Sequence, residues 1–192
     1  MERSVTFIRH GQAMPAPDGR DVYRVLTGIG RRQSTERAEN LRPHGLWDFR
    51  MVCSSIAERT LDTAEVISGW NRWHIRRIPD MYPDPKIGDG MIIDRMFTQL
   101  GYASLREYFD HKDAATIKAH GAQVWKQIQK RIVSASTSLV TGHAVLLPAT
   151  AWAACSPHGK FIEELESCNL GEAEGFTIKF DDWKPVEFIP HR

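Results

Sequence analysis

Cysteine is scarce in this chain, and its spacing does not suit the sites that cysteines usually form. The three cysteines are Cys53, Cys155 and Cys168, an odd number without the close pairs of a disulfide framework or a zinc knuckle. We therefore expect reduced, mostly buried thiols. This excludes the small disulfide-stabilised and zinc-finger classes of protein.

Long apolar runs are also missing. No stretch of the sequence approaches the roughly 20 residues that a bilayer-spanning helix needs. Glu2 and Arg3 follow Met1 and lead directly into the first apolar run, which leaves no room for a charged leader with an apolar signal core. We predict a cytoplasmic protein without a membrane partner.

The chain has no excess of charge of either sign. Lysine and arginine total 25, and aspartate and glutamate total 24, so no overall field favours a nucleic acid. Any anion must be bound by a local arrangement of side chains. The length of 192 residues suits one domain, and we predict a single domain over residues 1–192.

What is present is an alternation of short apolar runs and helical stretches. Thr27 is a plausible N-cap for the first helix. Strands are predicted at 5–9, 49–54, 73–78, 138–142, 175–180 and 183–189, and helices at 31–41, 57–70, 144–154 and, with breaks near Gly101 and Gly121, across most of 88–136. The pattern predicts an α/β fold in which helices cover both faces of a mostly parallel sheet, with a helical insertion or cap at about 86–135.

Three of the predicted strands end in residues that suit phosphate. Arg9 and His10 follow the first strand, Ser55 and Arg59 follow the second, and His143 follows a later one. Carboxyl ends of parallel strands meet at one edge of a sheet, where α/β proteins bind their ligands. Two guanidinium groups can fork onto phosphoryl oxygens with charge-assisted hydrogen bonds. We expect these residues to converge in one pocket.

A histidine in such a pocket can act as a nucleophile towards phosphorus and carry the phosphoryl group covalently. A protonated second histidine, His143, would stabilise the phosphoryl oxygens, and a carboxylic acid would protonate the leaving group. Asp84, in the proline-rich turn after the strand predicted at 73–78, is the first candidate for that acid, with Asp89 and Asp80 as competitors.

Three further residues are predicted to contact the substrate. They are Gln12, Ser55 and, in the loop that follows the first motif, Arg20; Arg24 in the same loop is a related candidate. The remaining histidines have no mutual spacing that suggests a metal site. We predict neither a metal nor a cofactor, and a small phosphorylated molecule as the substrate.

Taken together, these motifs resemble the histidine phosphatase superfamily, whose members include phosphoglycerate mutases, broad-specificity phosphatases and phosphohistidine phosphatases. The resemblance rests on five segments in order, namely 7–12, 26–33, 53–64, 140–143 and 166–169. It implies a phosphoglycerate mutase-like three-layer α/β/α sandwich. It also implies that His10 is phosphorylated, that Arg9 and Arg59 bind the phosphoryl group, and that His143 is the second histidine of the pocket.

The chain departs from the family where the acid is concerned. Many members carry a glutamate where this chain has Tyr82-Pro83-Asp84, and the aspartate that the acid-phosphatase branch places after the second histidine is replaced here by Ala144. The leading hypothesis is a metal-independent phosphomonoesterase that works through phosphohistidine at His10. The alternatives are a mutase of the phosphoglycerate type, a phosphohistidine-protein phosphatase and a catalytically silent phospho-ligand binding protein. Oligomeric state is left open.

Overall fold

The protein is described by a computed structural model that covers residues 1–16 and 19–192. Within those residues a six-stranded sheet forms the middle of the molecule. Its strands are β1 (Glu2–Arg9), β2 (Met51–Ser54), β3 (Arg76–Arg77), β4 (Thr137–Gly142), β5 (Gly175–Asp181) and β6 (Lys184–His191). Their order is β3-β2-β4-β1-β5-β6. The first four are parallel, whereas β5 and β6 form an antiparallel hairpin beside β1.

Seven helices surround this sheet in the described part of the chain. They are α1 (Gly28–Leu41), α2 (Glu58–Ser68), α3 (Gly88–Leu100), α4 (Leu105–Phe109), α5 (Ala114–Ile132), α6 (Leu146–Cys155) and α7 (Ile162–Glu166). Thr27 caps α1 as predicted, because its side chain accepts a hydrogen bond from the Gly30 N–H. None of the helices described is both long and apolar enough to cross a membrane.

The alternation of side chains along β1 explains why helices are needed on both faces of the sheet. Val5 and Phe7 point into one core, which α5 and α6 cover. Ile8 belongs to a second core on the opposite face, which α1 and α2 cover. The predicted α/β/α sandwich with a mostly parallel sheet is confirmed.

The helical region predicted as an insertion or cap divides into two parts. Helices α3 and α4 pack with the start of α6 in a third core around Ile93, Met96 and Tyr108. Helix α5 instead packs along the sheet through Val124 and Ile128 and forms part of the sandwich. The region is helical as predicted, but α5 belongs to the core of the sandwich, whereas α3 and α4 belong to a separate core.

Two local predictions are wrong. Gly121 does not interrupt a helix but lies inside α5, where a Cβ atom would come within 2.5 Å of the Ala149 carbonyl oxygen. Glycine is required there for close packing of α5 on α6. The predicted edge strand at 73–78 is only Arg76–Arg77, because Asn71 caps a 3-10 turn at Arg72–His74 through the Trp73 N–H.

Candidate active site

The loop after β1 fixes the position and the protonation state of His10. The His10 N–H donates to the Gly142 carbonyl at 3.1 Å, so the residue is held against the end of β4. Its Nδ1 lies 2.8 Å from the Gly11 carbonyl oxygen, which can only accept a hydrogen bond. Nδ1 therefore carries the proton, and Nε2 keeps its lone pair.

Electrostatics keep the His10 imidazole neutral. Burial, followed by the charge of Arg59, lowers the pKa of His10 from its ordinary 6.5 to about 3. The Nε–H of Arg59 donates to His10 Nε2 at 3.2 Å, which a protonated ring would not permit. In this neutral form the Nε2 lone pair, which here accepts the Arg59 N–H, is the one that can attack phosphorus.

Close backbone packing supports the same loop. A Cβ atom on Gly11 would lie 2.5 Å from the Gly30 carbonyl oxygen, so the loop rests directly on the first turn of α1. The Gly11 N–H donates to the Thr63 hydroxyl at 3.2 Å, which ties the loop to α2 as well. The glycine of the Arg-His-Gly sequence is therefore required because a side chain at position 11 would collide with the backbone of α1.

Arg59 lies in the first turn of α2 and is almost completely buried. Besides His10, it binds one residue of the loop between β1 and α1. Its two terminal nitrogens donate to the backbone carbonyl and to the carboxylate Oδ2 of Asp21, each at 2.6 Å. The face of Arg59 that points into the cavity is therefore held by a carboxylate.

Arg9 approaches the cavity from the other side. One terminal nitrogen donates to the Leu170 carbonyl at 2.6 Å, and the guanidinium lies 4.5 Å from the centre of the Tyr102 ring. Its Nε is buried without a hydrogen-bond partner in the described chain. Burial lowers the pKa of Arg9, but arginine remains charged at any ordinary pH.

His143 packs edge-on against His10, with 5.5 Å between the ring centres. Its Nε2 lies 3.1 Å from the Ser55 hydroxyl. Burial and then the charge of Arg59 lower the pKa of His143 well below its ordinary value. His143 is thus neutral in this arrangement, and it becomes a cation only if an added negative charge outweighs those effects.

These side chains open into a cavity of about 440 Å³, a size typical of small-molecule sites. Arg9, His10, Arg59 and His143 line its inner end. Its outer wall combines apolar, aromatic and charged residues, including Asp21, Arg24, Tyr82, Ile93, Asp94, Phe97, Tyr102, Leu146 and Glu172. The four residues predicted from the strand ends converge as expected.

The predicted acid is not brought into this cavity. Asp84 is exposed, its carboxylate accepts a hydrogen bond from the Lys86 N–H at 2.9 Å, and it does not line the cavity. Asp80 binds Gln123 and Gln127 instead, and Asp89 is exposed outside the cavity lining. The placement does not support Asp84 as the leaving-group acid, and that role stays a prediction.

The other predicted contacts have different surroundings. Gln12 accepts a hydrogen bond from the Thr27 hydroxyl at 2.9 Å, and the guanidinium of Arg20 lies over the Tyr23 ring; neither residue lines the cavity. Ser55 is fully buried and binds His143 and Thr60 rather than facing the cavity. Arg24 does line the cavity.

Sequence reasoning missed Asp21, Tyr82 and Tyr102. The only local signal for Asp21 is its place in the loop beside the first strand end, close to Arg20 and Arg24. Its position depends on contacts remote in sequence, such as the bridge between Ala13 and Leu26. Within the residues described, no group of three or more histidine, cysteine or acidic side chains is arranged to hold a metal ion.

Comparison with known proteins supports the fold. No protein-family model matches the chain, and no significant match occurs among curated proteins. Solved structures do match. A phosphoserine phosphatase from Entamoeba histolytica in complex with 3-phosphoglyceric acid has a TM-score of 0.61 at 19% identity and covers 97% of this chain and 96% of its own.

Two further solved structures have the same fold. The mycobacterial glucosyl-3-phosphoglycerate phosphatase in complex with VO3 has a TM-score of 0.62 at 17% identity, with 92% of each chain covered. The protein histidine phosphatase SixA complexed with tungstate has a TM-score of 0.61 at 15% identity, with 97% of this chain and 96% of the other covered. The predicted three-layer α/β/α fold is thereby confirmed, and these phosphatases share it.

Proposed function

We propose that this chain is a phosphomonoesterase of the histidine phosphatase type, which hydrolyses a small phosphorylated substrate through phosphohistidine on His10. One observation carries the proposal. A neutral, buried His10 with its proton on Nδ1 lines one cavity together with two buried arginines, Arg9 and Arg59. The fold shared with phosphatases that bind phosphoryl compounds or oxyanions agrees with it.

In the first step the phosphoryl group binds between Arg9 and Arg59, which balance its charge with charge-assisted hydrogen bonds. His10 Nε2 then forms a bond to phosphorus as the bond to the leaving oxygen breaks. The Gly11 carbonyl holds the Nδ1 proton and stabilises the positive charge that develops on the ring. The products of this step are phosphohistidine and the leaving oxygen, which departs as a phenolate from an aryl phosphate and must receive a proton from an acid to depart from an alkyl phosphate.

In the second step water attacks the phosphorus atom, the N–P bond breaks and inorganic phosphate leaves. His143 contacts the same group from the side, and a phosphoryl dianion next to it favours the protonated ring. Ser55, which binds His143 Nε2, keeps that ring in position. Because the phosphoryl group is held covalently on His10 next to these side chains, water is the only reactant that still has to reach it.

The placement of Asp84 favours a second candidate, a phosphohistidine phosphatase. Such an enzyme transfers the phosphoryl group from an imidazole, which is a better leaving group than an alkoxide and needs less help from an acid. A predicted acid that lies outside the cavity fits this chemistry, and the fold is shared with SixA. Hydrolysis of phosphohistidine but of no alkyl phosphate would select this candidate.

The proposal is tested with a generic aryl phosphate and the purified protein. The parent is expected to release phosphate, and His10→Ala is expected to lose at least about 1,000-fold in kcat. His74→Ala is the matched control, because His74 is an exposed histidine outside the cavity. Full activity of His10→Ala would contradict the mechanism.

Two of the alternatives give other results in the same assay. A silent binding protein would bind phosphate and turn over no substrate with His10 intact. A mutase would exchange phosphoryl groups between positions of a sugar acid with little net release of phosphate.

A further inference from the structure

Asp21 occupies the hydrogen-bond donors that a bound phosphoryl group needs. Its carboxylate Oδ2 and its backbone carbonyl each lie 2.6 Å from a terminal nitrogen of Arg59. Those two nitrogens form the fork with which arginine binds phosphate. A phosphoryl group and Asp21 therefore compete for the same face of Arg59.

Asp21 is also close to the reacting atoms. The guanidinium of Arg59 links the two groups, because its Nε–H donates to His10 Nε2 at 3.2 Å and one of its terminal nitrogens donates to the Asp21 carboxylate at 2.6 Å. A phosphoryl group is about as wide as the guanidinium group. If it binds along this guanidinium with phosphorus next to His10, the opposite side of the group faces Asp21.

We propose that Asp21 is the leaving-group acid of this site, a carboxylate that covers Arg59 before the substrate binds and protonates the leaving oxygen after the phosphoryl group has displaced it. The inference rests on the proposed function.

The groups around Asp21 explain how a carboxylate bound to arginine becomes an acid. Burial by itself raises its pKa, whereas Arg59, Tyr82 and Arg24 lower it, and the net pKa is below the ordinary value. Tyr82 donates its hydroxyl to Oδ2 at 2.9 Å, and Arg24 lies 3.1 Å from Oδ1.

A phosphoryl group that takes over Arg59 removes the largest of these opposing effects and adds its own negative charge. The partial burial of this carboxyl group and the charge of the phosphoryl group then both favour its neutral form, so the pKa of Asp21 rises. Arg24 and Tyr82 remain to hold the carboxyl group at the edge of the cavity.

The proton comes from the substrate. A phosphomonoester that binds as its monoanion carries one proton, which passes to the Asp21 carboxylate as the phosphoryl group pairs with Arg9 and Arg59. The His10 Nε2–P bond then forms, the P–O bond breaks, and Asp21 gives its proton to the leaving oxygen. When water attacks phosphohistidine, the Asp21 carboxylate takes a proton from that water and phosphate departs.

The other acidic residues of the cavity are less suitable. Glu172 accepts a hydrogen bond from Gln33 and lies on the side of Arg9. Asp94 lies on the helix α3. Neither has a hydrogen bond to Arg59 in the described part of the chain, so binding of phosphate to that arginine does not free either of them.

The test compares Asp21→Asn with Asp84→Asn and the parent, each on a nitrophenyl phosphate and on a simple alkyl phosphate. Nitrophenolate leaves without an acid, whereas an alkoxide does not. We expect Asp21→Asn to lose about 100-fold or more in kcat on the alkyl phosphate and only a few-fold on the nitrophenyl phosphate. Asp84→Asn should keep both activities.

A second measurement addresses the competition for Arg59. Inorganic phosphate, used as an inhibitor of nitrophenyl phosphate hydrolysis, should bind Asp21→Asn more tightly than the parent, because the amide is a weaker competitor than the carboxylate. Unchanged or weaker inhibition would overturn the displacement.

The remaining outcomes distinguish failure of the Asp21 assignment from failure of the proposed phosphatase function. The assignment of Asp21 would be overturned, with phosphatase activity intact, if Asp21→Asn lost activity equally on both substrates or lost none. It would also be overturned if Asp84→Asn showed the leaving-group-dependent loss, or if the parent had no activity on the alkyl phosphate. A parent inactive on nitrophenyl phosphate would contradict the proposed function itself.

Discussion

The inner and outer parts of the cavity are built in different ways. The inner group, which consists of Arg9, His10, Arg59 and His143, lies at strand ends or in a first helical turn. The register of the sheet sets its positions, since Arg9 pairs with Gly142 across β1 and β4. The outer wall, which includes Asp21, Tyr82, Asp94, Tyr102 and Glu172, lies mostly on loops and on the helix α3.

This difference assigns different tasks to the two parts. The inner group is rigid because strands and buried hydrogen bonds hold it, which suits the positioning of a phosphoryl group. The outer wall carries most of the carboxylates and aromatic rings, and it faces whatever is attached to the phosphoryl group. Phosphoryl transfer to His10 should therefore depend on the inner group, whereas the outer wall, apart from the proposed acid Asp21, should determine the choice of substrate.

The largest expected effect is the loss of the fork of Arg59. Arg59→Lys keeps the charge but removes the paired donors, so kcat/KM for an aryl phosphate should fall by about 100-fold to 1,000-fold. Arg32→Lys is the matched control, because Arg32 is exposed on α1. A loss of less than about threefold in Arg59→Lys would show that the inner group does not act through bidentate binding.

The second effect concerns the protonation of His10 and is measured as stability. The pKa of His10 is about 3 in the folded protein and 6.5 when unfolded. Between these values the unfolded chain binds a proton that the folded protein does not. The free energy of unfolding therefore falls as the pH decreases from 6.5 towards 3, with His10 contributing up to about 1.4 kcal/mol per pH unit.

The stability that depends on neutral His10 is fully present above pH 6.5 and is lost progressively as the pH falls from 6.5 towards 3. Urea unfolding at several pH values should therefore show a shallower dependence in His10→Gln than in the parent. His74→Gln, at an exposed position, should retain the parent's dependence. The same dependence in all three proteins would mean that His10 is not held neutral by burial and by Arg59.

The third effect tests the packing that supports both parts of the cavity. Gly121→Ala places a methyl group against the Ala149 carbonyl where α5 meets α6, and it should destabilise the fold by about 1–3 kcal/mol. Gly28→Ala is the control, since a Cβ atom there meets nothing within 4 Å. Urea midpoints measure both variants, and equal midpoints would contradict the close packing.

The smallest effect is expected at a residue that acts through a neighbour. Ser55→Ala removes one hydrogen bond from His143, worth about 0.5–1.5 kcal/mol. The kcat for an aryl phosphate should fall by up to about tenfold, with KM little changed. Ser68→Ala, whose hydroxyl donates to Ala64 within α2, should keep full activity. A change in KM alone would indicate direct contact of Ser55 with the substrate.

The inner group could be predicted because its signals are local. An apolar run that stops in Arg9 and His10 indicates both the strand and its end, and a parallel sheet brings such ends together. The fold followed from the same alternation of strands and helices. The edge strand predicted at 73–78 is shorter in the structure, because a turn capped by the side chain of Asn71 occupies the first part of its alternating pattern.

The outer wall could not be predicted because its contacts join residues far apart in the chain. Asp21 binds Arg59 across 38 positions and Tyr82 across 61, and no local pattern reports either pair. Asp84 was a reasonable acid from its turn alone, but its carboxylate binds the adjacent backbone. Gly121 resembled a helix break because close approach between helices leaves no signal in one sequence.

The central claim is that the phosphoryl group passes through His10, and rapid quenching tests it most directly. Parent protein mixed with an aryl phosphate and quenched in alkali should carry one phosphoryl group on the peptide that contains His10. That group should be lost in acid, as expected for an N–P bond. Phosphorylation of another residue, or hydrolysis without any phosphorylated protein, would contradict the account.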